Sequence, residues 1–284
     1  MRALAASIED VFREAAARWT LVAYFALSSL FILIFAAAVN LDVVNGALAG
    51  AKIFGKSVRI GHGEVDLDRL VLGFEAGFSG FLYVVGTFLV VFATAHLVPR
   101  LQEKGTVDLY LSRPVGRVSL LLSRYVAGLL LAAANVGYLV GSVWLVVVAK
   151  TKVVHPRFLL AGAVVLFAIA ALLAFAFLVG VVTSSTGVSI MATFALFFLG
   201  ALLVGHERIE AALSSEGTAA LVHALYWILP KTAELGRAVV ALVLGAEGPE
   251  RLREGLTLAP FLTTGLFGLA SLSLAAWLFR RKDF

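Results

Sequence analysis

The sequence predicts an all-α integral membrane protein: six transmembrane helices, an N-terminal amphipathic surface helix, and short re-entrant or surface helices before the last span. Three observations lead there. Of the 284 residues, 61% are hydrophobic and only 14% charged, whereas ordinary soluble domains carry roughly a quarter charged residues, so a water-soluble globule of this chain could not cover its own surface. Apolar runs long enough to cross about 30 Å of hydrocarbon, which takes about 20 residues at 1.5 Å each, recur six times. Those runs lack the roughly ten-residue alternation of polarity that marks a transmembrane strand, which selects a helical bundle.

Residues 1–19 come first. Leu4, Ile8, Val11, Phe12, Ala15 and Trp19 recur at helical spacing, with Glu9, Asp10, Arg13, Glu14 and Arg18 on the opposite face, the pattern of a helix lying along a membrane surface. The first span, 20–40, is too long for the apolar core of a signal peptide and has no clean cleavage site after it, so it is read as retained. The other spans are placed at 74–98, 119–149, 157–182, 187–205 and 256–279. Apart from tyrosines, His96 is the one ionisable side chain within the apolar cores of the six stretches. Near an interface a neutral, hydrogen-bonded histidine costs little, and Glu75 at the entrance of the same span is discounted in the same way.

Two shorter apolar pieces, Ala219 to Leu229 and Ala238 to Gly245, flank Pro230 and Lys231. Joining them into a seventh span would bury Lys231, Glu234 and Arg237, an expensive step, so they are read as re-entrant or surface helices. An even number of spans puts both termini on one side. Counting Lys and Arg does not choose that side, because the two faces hold nearly equal numbers. Their position does: Arg280, Arg281 and Lys282 abut the last span, and Arg117 and Arg124 flank the third, which by the positive-inside rule places both termini and the loop 99–118 in the cytoplasm. Segments 41–73 and 206–255 are then extracytoplasmic.

Composition excludes several functions. With 0 Cys there are no disulfides, thiolate metal sites, iron–sulfur clusters or cysteine nucleophiles. The net charge of +5 reflects basic residues flanking spans and not a nucleic-acid surface, since no compact basic stretch with interleaved aromatics is present. GAKIFGKS, Gly50 to Ser57, matches the phosphate-loop pattern letter for letter. That motif needs a strand before it and a helix after it, whereas Val58, Ile60, Val65 and Leu67 around Gly61 and Gly63 predict a small hairpin. Glu64, Asp66 and Asp68 beside His62 are read as a solvated acidic stretch and not as a cation site. No catalytic, cofactor-binding or metal-binding residue is assigned.

The informative segment joins the second and third spans. Gly105 breaks the preceding helix, Thr106 can cap a new one, and Asp108 suits the positive end of its first turn. Pro114 then stops it. The result is a short helix from about Val107 to Ser112 between two spans. Glu103, Gly105, Thr106, Leu109, Leu111, Ser112, Arg113, Pro114, Arg117, the run Leu120 to Leu122 and Tyr125 form an E-x-G-T-x-x-x-x-L-S-R-P-x-x-R pattern. With it go the turn Thr183 to Thr186, Leu229-Pro230 and an ending Trp277 to Asp283 of W-x-F-R-R-K-D kind.

On these residues the chain resembles the type 2 permeases of ABC transporters, an exporter family that includes the nitrous oxide reductase maturation permease. The resemblance implies a single permease domain over 1–284, working as a dimer with a second copy or a related permease in a bacterial or archaeal cytoplasmic membrane. It also implies a separate ATPase subunit holding the ATP and magnesium, so that the permease binds no cofactor and is not itself an enzyme. Glu103, Gly105, Thr106, Leu109, Tyr110, Leu111, Arg113, Pro114 and Arg117 would form the element that couples to that ATPase. The competing readings are a membrane anchor or assembly factor that transports nothing, and a proton-coupled carrier, which should hold paired ionisable residues within its spans.

Overall fold

A computed structural model describes residues 20–44, 47–53, 56–58, 67–102, 116–213, 215–250, 252 and 257–282. The N-terminal amphipathic stretch and residues 103–115 lie outside the described residues. The protein is an all-α integral membrane protein with a small sheet appended. Helix α1 spans Thr20–Ala38. It leads directly into strands β1 (Val39–Val44), β2 (Ala47–Ile53) and β3 (Lys56–Val58), an antiparallel sheet in the order β1-β2-β3 with a register irregularity between Asp42 and Val43.

The second span is a composite. Helix α2 (Leu67–Phe81) passes through a π turn, Leu82–Gly86, into α3 (Thr87–Thr94) and α4 (Leu97–Leu101). Then come α5 (Arg117–Thr151), α6 (Pro156–Thr183), α7 (Thr186–Leu203), α8 (His206–Ala212), α9 (Glu216–Ile228), α10 (Thr232–Leu244) and α11 (Ala259–Arg281). Among the described residues, five stretches are long and apolar enough to cross a membrane, namely Asp68–Leu101, α5, α6, α7 and α11, and α1 adds a shorter apolar helix.

Local chemistry sets the boundaries. Pro156 and Pro260 sit in the first turns of α6 and α11, where the missing N–H costs nothing. Helix α6 ends on Ser184 at φ 53°, whose N–H returns to the Gly180 carbonyl at 2.9 Å, and Ser185 then caps α7 by accepting from the Val188 N–H. Two successive small polar residues thus turn the chain through a tight hairpin.

Helix α6 is the axis of the bundle, with Val165, Ile169, Leu173 and Phe177 fully buried along it. Close approach to α11 depends on small residues. A Cβ on Gly268 would stand 2.9 Å from the Ala171 Cα, a backbone atom with no freedom to yield. In lipid, where apolar burial does not itself drive helices together, such contacts carry much of the packing. Gly268→Leu is therefore expected to lower the thermal unfolding temperature of the detergent-solubilised protein, the overpacking costing about 1–3 kcal/mol. Gly265→Ala, whose new methyl would meet only the Phe167 ring at 3.4 Å, should be tolerated in the same assay.

Between α7 and α11 the chain makes a re-entrant hairpin. Pro230, Lys231 and Thr232 form its buried tip, and α10 packs its Leu235, Val239 and Val243 face into the bundle. The Tyr83 hydroxyl donates to the Thr232 carbonyl, Thr232 Oγ1 donates to the Phe197 carbonyl at 2.9 Å, and the Lys231 N–H donates to Thr264 Oγ1 at 3.0 Å. Lys231 is thus only 4% exposed without any seventh span. Its ammonium lies over the Tyr226 ring at 3.1 Å from the centroid and over the Trp227 ring at 4.5 Å, which replaces part of the lost hydration. Burial lowers the Lys231 pKa and Glu234 opposes that shift.

The sheet shows why the phosphate-loop pattern is a coincidence of letters. Gly50 to Ile53 lie on β2 and Lys56 and Ser57 on β3, paired antiparallel with Lys52 opposite Ser57. Their backbone runs along a ladder, where a phosphate loop needs N–H groups converging between a strand and a helix. The hairpin expected around Gly61 and Gly63 lies outside the described residues, between β3, which covers Lys56–Val58, and the helix that begins at Leu67.

Candidate functional site: the Lys282 end of the bundle

The ends of α4, α5, α6 and α11 meet at one pole of the molecule. Lys282, the first residue beyond α11, donates from Nζ to Gln102 Oε1, to the Val181 carbonyl at 2.8 Å and to Ser184 Oγ at 2.8 Å. Ser184 Oγ donates in turn to Gln102 Oε1 at 2.7 Å, and Gln102 Nε2 donates to the Gly180 carbonyl at 2.9 Å. Arg117 Nη1 closes the set by donating to the Lys282 carbonyl at 2.7 Å. Partial burial lowers the Lys282 pKa, and the acceptors around its ammonium are neutral oxygens.

Beneath this polar clamp lies an apolar cluster of its own, including Leu97, Val98, Leu101, Leu121, Phe177 and Phe279. Gly180 lets α4 sit close, since a Cβ there would meet Pro99, Val98 and the Ser189 hydroxyl, each at 3.3 Å. Gln102 immediately precedes residues 103–115 and Arg117 follows them, so both ends of that segment are tied to a well-packed pole. Glu103, Gly105, Thr106, Leu109, Tyr110, Leu111, Arg113 and Pro114 lie outside the described residues, as does the expected helix Val107 to Ser112. Arg117 is the single sequence-selected coupling residue whose contacts are visible. Gln102 was not singled out by sequence, and Ser184 and Lys282 entered only through the Thr183 to Thr186 turn and the basic ending, not as partners of the coupling segment. Their one advance signal was position, each standing at the end of an apolar run.

A second feature lies between α1, the π turn and α5. Tyr24, Ser28, Phe31, Phe78, Gly86 and Asn135 are among the residues lining a cavity of ≈ 250 Å³. Its walls are apolar, apart from a short polar track in which Ser28 Oγ approaches Asn135 Oδ1 and the Tyr24 carbonyl, each at 3.1 Å. The π turn at Leu82–Gly86 forms part of that wall, and such turns are frequent at functional positions in helices.

At the opposite pole, Glu75 is completely buried and its Oε2 lies 2.8 Å from His155 Nδ1, while His155 Nε2 lies 3.3 Å from Asp68 Oδ1. The histidine thus bridges two carboxylates of α2 from the turn between α5 and α6. Of the acidic stretch Glu64, Asp66 and Asp68, only Asp68 falls within the described residues, and it takes part in this bridge. His96 sits at the break between α3 and α4 and is half-buried.

No curated protein matches the chain. The family model described as ABC-2 family transporter protein matches residues 11–284, a range that takes in all the apolar helices, both ends of the 103–115 segment and the clamp around Lys282. The match is to the family as a whole and carries no member's cargo. The chain therefore belongs to the ABC-2 transporter family and is a multi-pass permease subunit of an ABC transporter.

Proposed function

We propose that this chain forms the translocation pathway of an ATP-driven exporter, paired with a second copy or a related permease, and is driven by a separate ATPase through residues 103–115. The observation that carries this reading is the clamp of Gln102, Ser184, Lys282 and Arg117. A subunit that receives force from a partner must transmit it through a stiff connection, and both ends of the segment are held on a close-packed pole of the bundle. Both termini and this pole face the cytoplasm of a bacterial or archaeal cell, and the sheet and the α8–α10 region face outward. ATP and magnesium belong to the partner, and this chain is not itself an enzyme. The cavity beside the π turn, walled by Phe31, Phe78 and Leu82 with Asn135 and Ser28 at one side, suits an apolar or amphiphilic cargo.

The chain has no cysteines, which makes the arrangement directly testable. Single cysteines at positions 62 and 248 are expected to react with an impermeant maleimide only from outside the cell, and labelling from the cytoplasmic side alone would reverse the topology. Vesicles holding the chain with its co-purified ATPase should move cargo only when ATP is present. A membrane anchor or assembly factor, the competing reading, would retain the ATPase and move nothing.

A further inference from the structure

Two histidines and a glutamate from two short helices converge at the pole opposite Lys282. His206 and Glu210 are four residues apart on α8, which puts them on one helix face, and His223 reaches across from α9. One ligating atom from each lies within 4.8 Å of those of the other two. His223 Nδ1 stands 3.4 Å from Glu210 Oε1, and that carboxylate oxygen is buried without a hydrogen-bond partner.

The surroundings orient these groups as ligands. His206 Nδ1 lies 3.2 Å from the Leu203 carbonyl. A carbonyl only accepts, so the proton sits on Nδ1 and the Nε2 lone pair is left available, the arrangement that usually supports a metal-bound histidine. The same ring stacks on Tyr226 at 3.7 Å between centroids and 14° between planes. Tyr226 is fixed in turn: its hydroxyl donates to Glu234 Oε1 at 2.7 Å, and the Lys231 ammonium lies 3.1 Å from its centroid. A stacked imidazole and an ammonium cannot occupy the same face at those distances, so the tyrosine is held from both sides. The nearby Lys231 charge is offset by Glu234.

Neither α8 nor α9 contributes a fully buried residue, so the contact between them rests on partly exposed groups such as the His206–Tyr226 stack and the His223–Glu210 approach. We propose that His206, Glu210 and His223 form a binding site for a divalent transition metal of the zinc class, which pins α8 to α9 on the outer face of the permease. Two imidazoles and a carboxylate form a donor set suited to zinc and unlike the all-oxygen sets of magnesium and calcium. The His223 side chain is 57% exposed, so solvent reaches the site and can supply a fourth ligand.

The test uses the full-length chain without a polyhistidine tag, in detergent micelles, titrated with zinc ion in competition with a chromogenic chelator. One zinc per chain is expected at this site. His206→Gln and His223→Gln should each weaken binding by at least about a hundredfold, since loss of an outer-shell partner alone commonly costs 10–100-fold. Glu210→Gln should weaken it by about tenfold or more. His155→Gln, which alters the histidine–carboxylate grouping with Glu75 and Asp68, should leave this binding unchanged. Thermal unfolding checks that the variants fold, and the exposed position of His223 makes its substitution the safest. If the wild-type chain retains no zinc against the chelator, or if His206→Gln/His223→Gln binds it as tightly as wild type, the site does not exist and the three side chains form an ordinary surface ion pair with a neighbouring ring.

Discussion

Replacing Tyr110 and Leu111 together by alanine is expected to release the ATPase partner, or to leave it bound but unresponsive, while the permease still inserts and folds. Leu109, Tyr110 and Leu111 form a consecutive apolar run between Gly105 and Pro114, which suits an apolar contact with a partner better than exposure to water. Aromatic and aliphatic anchors at the centre of an interface dominate its energy, each costing about 2 kcal/mol or more when truncated. Two such losses acting independently reduce affinity by about a thousandfold. Charges at the rim contribute less, so Glu103, Arg113 and Arg117 should have smaller effects. Arg117→Ala in particular removes a hydrogen bond to the Lys282 carbonyl and should slow turnover without releasing the partner. Co-purification of the ATPase at normal stoichiometry, with normal cargo-stimulated turnover in the Tyr110→Ala/Leu111→Ala protein, would eliminate this segment as the coupling element.

The long helices were legible because their physics is one-dimensional: about 20 successive apolar residues have few stable fates other than crossing a bilayer. What sequence could not show depends on contacts across distance. Gln102 and Lys282 are 180 residues apart, and Glu75 and His155 are 80 apart, so no local pattern announces either pairing. The interruption of the second span was equally hidden, since Leu82–Gly86 reads as continuous apolar sequence and the partner of Tyr83, the Thr232 carbonyl, is 149 residues away. Lys231 illustrates a different failure. The cost of burying a charge was weighed correctly for a lone lysine, but the hairpin at Pro230 folds Tyr226 and Trp227 back under the ammonium, and that compensation exists only in three dimensions.

The carboxylate–histidine grouping also bears on the carrier reading. Proton coupling needs a relay of ionisable groups through the bundle. Glu75, Asp68 and His155 form one group toward the sheet end: Asp68 lies in the first turn of α2 with Glu75 two turns further along, and His155 immediately precedes α6. A grouping confined to one pole favours a structural role, and that role has a measurable consequence.

His155→Leu is expected to destabilise the protein by about 1–3 kcal/mol, the penalty for leaving a buried polar group without its hydrogen-bond partner. Glu75 has no exposed surface, His155 Nδ1 contacts its Oε2, and its Oε1 has no hydrogen-bond partner. Asp68 is different. Its side chain is 49% exposed, so water can solvate it once His155 is gone. The damage should therefore come from Glu75 alone, and removing that carboxyl should repair it. Glu75→Leu/His155→Leu is expected to recover most of the lost stability, because replacing both members of a buried pair by apolar groups of similar volume is often nearly neutral. Denaturant unfolding of the two single variants and the double variant in one detergent gives the coupling energy directly. A double variant as unstable as the sum of the single ones would mean that the two side chains act independently, and that His155 orders the turn between α5 and α6 through its own packing and not through Glu75.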